Sequence, residues 1–127
     1  MRSYRIGAAL AILVLATLLW SGIASANKSS VTIKAPAEVH GNSEVTIVIT
    51  ITHKANSFFH YTEWVYVMVN GKELERWQYS ASNRPPGEVF SKEVKVLAAG
   101  DLDIKAEAGC NMHGSAGPVT FKVAVKD

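Results

Sequence analysis

Short runs in which apolar and polar residues alternate fill the chain after residue 30. The clearest is EVTIVITIT, residues 44–52, in which Val45, Ile47, Ile49 and Ile51 share one face and threonines lie on the other. A period of two residues places alternate side chains on opposite faces of an extended chain. The run therefore predicts a strand with one buried and one exposed face.

Turn-forming residues separate this run from six others of the same kind. Asn70-Gly71 lies between two of them, and Asn-Gly in this position is the strongest short signal of a β-hairpin. Further turns are predicted at Gly41-Asn42, at residues 83–87, at Gly100-Asp101 and at Gly117-Pro118. The predicted strands are residues 31–34, 44–52, 63–69, 73–79, 88–96, 102–107 and 119–125. With no amphipathic helix after residue 26, we expect an all-β fold, an immunoglobulin-like antiparallel β-sandwich of about seven strands.

The first 26 residues have the layout of a secretory signal peptide. A basic start, MRSYR, precedes the apolar run IGAALAILVLATLLWSGI, and Ala24-Ser25-Ala26 supplies a small-x-small cleavage site. The apolar run is nearly long enough to span a bilayer, so an uncleaved membrane anchor is the alternative. We expect cleavage after Ala26 and one exported, periplasmic domain of residues 27–127, with no membrane association once the signal is removed.

Charge and cysteine content narrow the function of this domain. Removing Arg2 and Arg5 with the signal takes the formal net charge from +2 to 0, which gives no indication of nucleic acid as a partner. Cys110 is the only cysteine, so it cannot form a disulfide within its own chain. In an oxidising compartment we expect a lone thiol to be buried, paired between chains in a homo-oligomer, or bound to a metal.

The four histidines lie at or near predicted strand ends. His40 lies in the connection before the long strand, His53 ends that strand, and His60 lies in the loop before the next one. His113 follows Cys110 by three residues, in GCNMHG. A single loop histidine is usually a solvated side chain, and one Cys-x-x-His is half a zinc signature at most. The four histidines and Cys110 together indicate a metal site, because the loops at one end of a sandwich can bring distant residues close to one another.

One thiolate with several imidazoles suits zinc, copper or iron. Structural zinc takes four ligands, which five candidates would exceed. Blue copper uses two histidines, a cysteine and often a methionine, but Met112 lies between Cys110 and His113 and no methionine follows. Four histidines and one cysteine would leave one open position on a six-coordinate ion, which suits iron and a small oxygen species. A β-sandwich interaction module with incidental histidines is a further alternative.

The motifs around these residues resemble those of the superoxide reductase family, the iron domain of desulfoferrodoxin and neelaredoxin. CNMHG resembles the family's Cys-Asn-x-His-Gly loop, HYTEW its His-Tyr-Ile-Glu-Trp element, and EVH its Glu-Lys-His. The sequence VNGKEL after HYTEW resembles the family's hairpin. The resemblance covers most of residues 27–127.

The resemblance implies a sandwich that holds one non-haem iron ion. The implied ligands are four equatorial histidines and one axial thiolate, namely His40, His53, His60, His113 and Cys110. The implied substrate is superoxide, reduced to hydrogen peroxide with one electron and two protons, and the electron donor is a protein that the sequence does not identify. Backbone donors from the 111–114 turn would tune the sulfur, and Glu38 would close on ferric iron after turnover.

One substitution relative to the family pattern bears on the activity. The family's lysine between Glu and His, which attracts the anion and helps to order the proton source, is Val39 here. Lys54, directly after His53, is a candidate replacement, so Glu38 and Lys54 are the predicted catalytic residues. Desulfoferrodoxin's second, four-cysteine iron centre is excluded because its cysteines are absent. The alternative function is a non-catalytic periplasmic metal-binding or electron-transfer protein that uses the same pocket.

Overall fold

A computed structural model describes residues 27–127, and the predicted signal peptide, residues 1–26, lies outside the described residues. The described chain forms eight strands, and all seven strands predicted from the alternation are among them. The strands are β1 (Ser30–Lys34), β2 (Glu38–His40), β3 (Ser43–Thr52), β4 (Thr62–Val69), β5 (Lys72–Gln78), β6 (Val89–Ala98), β7 (Leu102–Cys110) and β8 (Val119–Lys126). Among residues 27–127, no helix is long and apolar enough to cross a membrane.

Two sheets pack face to face, in the orders β1-β3-β6 and β2-β8-β7-β4-β5. Neighbouring strands are antiparallel except at one edge, where β2 runs parallel to β8. The all-β sandwich predicted from the sequence is therefore confirmed. The added element is β2, whose three residues are too few to show a period.

The core lies between the sheets and follows the alternation of the strands. Ile47, Ile49 and Ile51 of β3 are fully buried, as are Val65 and Val67 of the facing sheet. Each such side chain stabilises the fold by roughly 1.5–3 kcal/mol relative to an exposed position. This core holds the strand ends in place, and the loops between them carry the histidines.

One end of the sandwich brings together the end of β7 and the start of β4. Thr62, the first residue of β4, lies opposite Cys110, the last residue of β7, and the register shifts between Thr62 and Trp64. The indole ring of Trp64 lies so close to the backbone of Gly109 that a Cβ at this position would overlap the ring. A glycine is required here by close approach of a side chain, and this contact sets the position of the next residue, Cys110.

The other end of the sandwich carries β2. Val123 of β8 lies opposite Leu102, the first residue of β7, and β8 continues to Lys126, which lies beside His40 of β2. A strand rises about 3.3 Å per residue, so the length of β7, together with the three residues of β8 beyond Val123, places His40 more than about 25 Å from Cys110 along the strand direction.

Candidate metal centre

Three histidines and the thiol converge at the end of the sandwich where β7 ends and β4 begins. Ligand atoms of His53, His60 and Cys110 all lie within 4.8 Å of one another. Nδ1 of His113 lies 3.2 Å from Nε2 of His60, and the two ring centroids are 4.9 Å apart. Two donors bound to one ion at about 2.1 Å lie about 3–4 Å apart. His53, His60 and Cys110 are therefore spaced as ligands of one metal ion, and His113 lies beside them in contact with His60.

His53 is the deepest of these residues, with 2% of its surface exposed. Its backbone N–H donates to the carbonyl of Glu88 at 2.8 Å, which holds the residue just beyond the end of β3. Nε2 lies 3.1 Å from the carbonyl oxygen of Asn27, and Nδ1 is buried with no hydrogen-bond partner among residues 27–127. A metal-binding histidine ordinarily donates its other ring N–H to such a carbonyl. A buried, unpaired nitrogen is costly, and a metal ion would satisfy it.

A tight turn presents the sulfur of Cys110. Backbone hydrogen bonds between Cys110 and Gly114 close the turn at 2.9 and 3.1 Å, and Gly114 has a φ of 75°, which favours glycine. The N–H of Met112 donates to the sulfur at 3.3 Å. This is a backbone donor of the kind that the resemblance implied for the 111–114 turn. The thiolate is the form of cysteine that binds metals, and a backbone donor of this kind would support a metal-bound sulfur.

Asn111 joins the cysteine turn to the loop that carries His60. Its Oδ1 accepts from the N–H of Tyr61 at 3.0 Å, and its Nδ2 donates to the carbonyl of Phe59 at 3.0 Å. Its own N–H donates to the carbonyl of Tyr61 at 3.1 Å. Three hydrogen bonds from one residue thus enclose His60 on both sides and hold it beside Cys110. The sequence motif contained this asparagine, but only the structure shows the role.

The histidines also affect one another electrostatically. Burial lowers the pKa of His60 below its usual value, and the neighbouring His53 and His113 lower it further, against a smaller opposing effect of the Asn27 backbone. The lowered pKa favours the neutral form of the ring. Neutral imidazoles and a thiolate are the protonation states that metal binding requires.

The segment Asn27–Ser29 lies against the same site, and the sequence motifs did not indicate it. The N–H of Ser29 donates to Gly114 at 3.3 Å, and its carbonyl accepts from Ala116 at 2.9 Å. The Ser29 hydroxyl is fully buried and lies 2.8 Å from the Thr62 hydroxyl. Lys28, between Asn27 and Ser29, is exposed. A segment that pairs through a single bridge has no period, so the sequence carries no signal for this placement.

The structure does not bring His40 and Glu38 to this cluster. Strand β2 directs Val39 against the core and turns His40 and Glu38 outward, where Glu38 forms an ion pair with Lys126 at 2.6 Å. The expected fourth histidine and the expected glutamate are therefore at the opposite end of the sandwich. The pairing of β2 with β8 is the reason, since it fixes the segment far from Cys110. Lys54 is exposed and directly follows His53, as expected.

Comparisons with known proteins match most of this chain. Residues 21–115 match the family model described as desulfoferrodoxin, and this range contains the four clustered residues. A superoxide reductase (neelaredoxin) from Ignicoccus hospitalis aligns with a TM-score of 0.63 and 17% identity over 78% of this chain and 82% of that one. A putative superoxide reductase from Thermotoga maritima aligns with a TM-score of 0.61 and 22% identity over 77% and 86%.

The same fold also occurs in a protein with another description. A CARDB domain from Pyrococcus furiosus, solved in complex with di-metal ions, aligns with a TM-score of 0.60 and 20% identity over 77% of this chain and 87% of that one. At these identities the structural likeness establishes the fold only. A search of curated proteins found no match.

Proposed function

Because this chain belongs to the desulfoferrodoxin family, we propose that it is a mononuclear non-haem iron protein that reduces superoxide to hydrogen peroxide. The observation that carries the proposal is the convergence of His53, His60 and Cys110, with His113 against His60. These are four of the five ligands that the family resemblance implied. His53 and His60 come from the connection between β3 and β4, and Cys110 and His113 from the end of β7 and the turn after it.

The residues present fit an iron ion in the chemistry of their donors. Imidazole and thiolate are both ligands that iron accepts, and the unpaired Nδ1 of His53 is a buried atom that needs a partner. His53, His60, His113 and Cys110 would hold the ion. When bound, iron supplies the single electron that superoxide takes up, and two protons complete hydrogen peroxide.

The chain's own residues would attract the anion and support the sulfur. The three segments that form the site, residues 27–29, 53–62 and 110–118, contain Lys28 and Lys54 and no aspartate or glutamate. A local excess of positive charge steers a small anion towards the site and weakens with added salt. The N–H of Met112 donates to the Cys110 sulfur at 3.3 Å and would support it as a metal ligand.

An external donor must return the electron after each turnover. Three large apolar side chains are exposed next to the ligands: Phe58 and Phe59 precede His60, and Met112 lies between Cys110 and His113. Exposed apolar surface is typical of protein contact sites. We propose that the electron donor contacts this surface. We also propose that this chain is exported and cleaved after Ala26, so that its donor is a periplasmic protein.

The test is the reaction of the ferrous protein with superoxide generated by a pulse. We expect second-order consumption that slows as ionic strength rises, with one hydrogen peroxide per superoxide. Cys110→Ser should abolish the reaction, whereas His40→Ala, at the far end of the sandwich, should leave it unchanged. Superoxide decay no faster than that of the Cys110→Ser protein would refute the proposal.

A second function is favoured by one specific observation, the separation of His40 from the other ligands. An ion with three imidazoles and one thiolate lacks one ligand of the implied iron centre. A protein with such a site would bind a metal or transfer electrons without reacting with superoxide. In the pulse experiment this function predicts a stoichiometric metal with no superoxide consumption.

A further inference from the structure

The donor set of the site differs from the set that the family resemblance implied. We propose that the centre has four protein ligands only, His53, His60, Cys110 and His113, and that it binds zinc and related divalent ions in tetrahedral geometry. This inference depends on the metal site of the proposed function but not on its reaction. It concerns the number of ligands and the ions that this number favours.

His40 cannot act as a fifth ligand without loss of a sheet edge. Its strand pairs with β8 over three residues, and Gly41 N–H donates to the carbonyl of Lys126 at 3.3 Å. The Glu38–Lys126 ion pair spans the same two strands, and Val39 packs against the core. Bringing His40 to Cys110, across more than about 25 Å, would break all of these contacts.

The segment Asn27–Ser29 lies where an additional ligand could enter, and it carries no imidazole. The Ser29 hydroxyl is buried and paired with Thr62 at 2.8 Å, so it is already satisfied. The Asn27 carbonyl faces Nε2 of His53 at 3.1 Å, the position of a group that orients a ligand rather than binds the metal. Backbone hydrogen bonds of Ser29 to Gly114 and Ala116 hold the segment in place.

Four donors remain: those of His53, His60 and Cys110 lie within 4.8 Å of one another, and Nδ1 of His113 lies 3.2 Å from Nε2 of His60. Four is the number of ligands that a tetrahedral ion takes. Structural zinc takes four nitrogen and sulfur ligands in a closed tetrahedron. For a given set of such ligands, divalent affinity rises from iron through cobalt to copper and is higher for zinc than for iron. The structure thus favours zinc over ferrous iron at equal supply. Zinc has no redox chemistry, so the ion that is loaded decides whether the site can transfer an electron.

Cobalt(II) tests the number of ligands, because its visible bands are intense in tetrahedral sites and weak in five- or six-coordinate ones. We expect the metal-free protein to bind one equivalent with intense bands and with a thiolate-to-cobalt band that Cys110→Ser removes. His53→Ala should weaken zinc binding by more than about 100-fold, beyond the loss typical of a residue that only supports a ligand. His40→Ala, the matched control, should change neither spectrum nor affinity.

Two results would overturn the inference: weak cobalt bands in the wild-type protein, or a changed spectrum in His40→Ala. A competition assay tests the preference separately, since equimolar zinc should displace ferrous iron, and retention of iron would contradict it. The outcomes are distinct from those of the superoxide test. Intense cobalt bands without superoxide consumption would support the four-ligand centre and refute the reductase function. Weak cobalt bands with superoxide consumption would refute the four-ligand centre and support the reductase function.

Discussion

Nε2 of His60 lies 3.2 Å from Nδ1 of His113, although 53 positions separate the two residues in the sequence. Two neutral rings can share a hydrogen bond at this distance, but two protonated rings would repel each other. Burial lowers the pKa of His60 most, and the charges of His53 and then of His113 lower it further. Without a metal, the contact between the His60 and His113 rings therefore contributes little to stability. A bound metal ion would stabilise the arrangement, because both rings would coordinate it.

Metal removal should therefore lower the thermal stability of the protein. A ligand that binds only the folded state at 100 times its Kd stabilises it by about 2.7 kcal/mol, which corresponds to roughly 10–20 °C in Tm for a domain of about 100 residues. Circular dichroism melts with and without a chelator measure the shift. His40→Ala should keep the shift and Cys110→Ser should lose it. Equal Tm values with and without metal in the wild-type protein would contradict this expectation.

Replacing Asn111 should loosen the site without breaking the core. In Asn111→Ala, the N–H of Tyr61 and the carbonyl of Phe59 lose their partners, which costs about 1–3 kcal/mol of unfolding free energy. Metal affinity should fall by about 10–100-fold, as for other residues that orient ligands. Chemical denaturation and metal titration provide the two measurements. Asn111→Asp retains the acceptor but not the donor, so an effect as large as that of alanine would argue against the Tyr61 hydrogen bond as the main contribution.

Gly109→Ala should displace the indole ring of Trp64 or the end of β7. The added Cβ would overlap the ring, and Trp64 stacks on Tyr66 with ring centroids 5.9 Å apart. Overpacking of this kind costs about 1–3 kcal/mol, and a shift of Cys110 should weaken metal binding as well. Gly100→Ala is the control, because a Cβ there meets nothing within 4 Å and should change stability by less than about 0.5 kcal/mol. Equal Tm values for the two variants would show that the Trp64 ring moves without loss of stability.

Tyr66 should make the protein sensitive to alkaline pH. Burial, followed by the hydrogen bond to Glu107, raises its pKa to about 12; its hydroxyl donates to Glu107 at 2.7 Å. The unfolded pKa is about 10, so this contribution to stability is complete below pH 10 and is lost as the pH rises through about 12. Unfolding free energies measured from pH 9 to 12 should fall less steeply in Tyr66→Phe than in the wild type. Parallel curves would exclude Tyr66 as the source of the decline.

The sequence by itself determined the strands and indicated most of the side chains that meet at the candidate site, because both depend on local patterns. The period of two in residues 44–52 predicted which isoleucines are buried, and Ile47, Ile49 and Ile51 are. Asn70-Gly71 predicted a hairpin, and both residues have the positive φ that the turn requires. His60, Cys110 and His113 lie in loops that follow or precede long strands, so their placement follows from the strands.

Only the tertiary structure decided which histidines meet. His40 and His53 look alike in the sequence, each near the end of a strand, yet the pairing of β2 with β8 carries His40 to the far end of the sandwich. The Asn27–Ser29 segment reaches the site through single contacts with Gly114, Ala116 and Thr62. Pairing between distant segments depends on the packing of the whole chain, and elements of three residues are too short to encode it as a period.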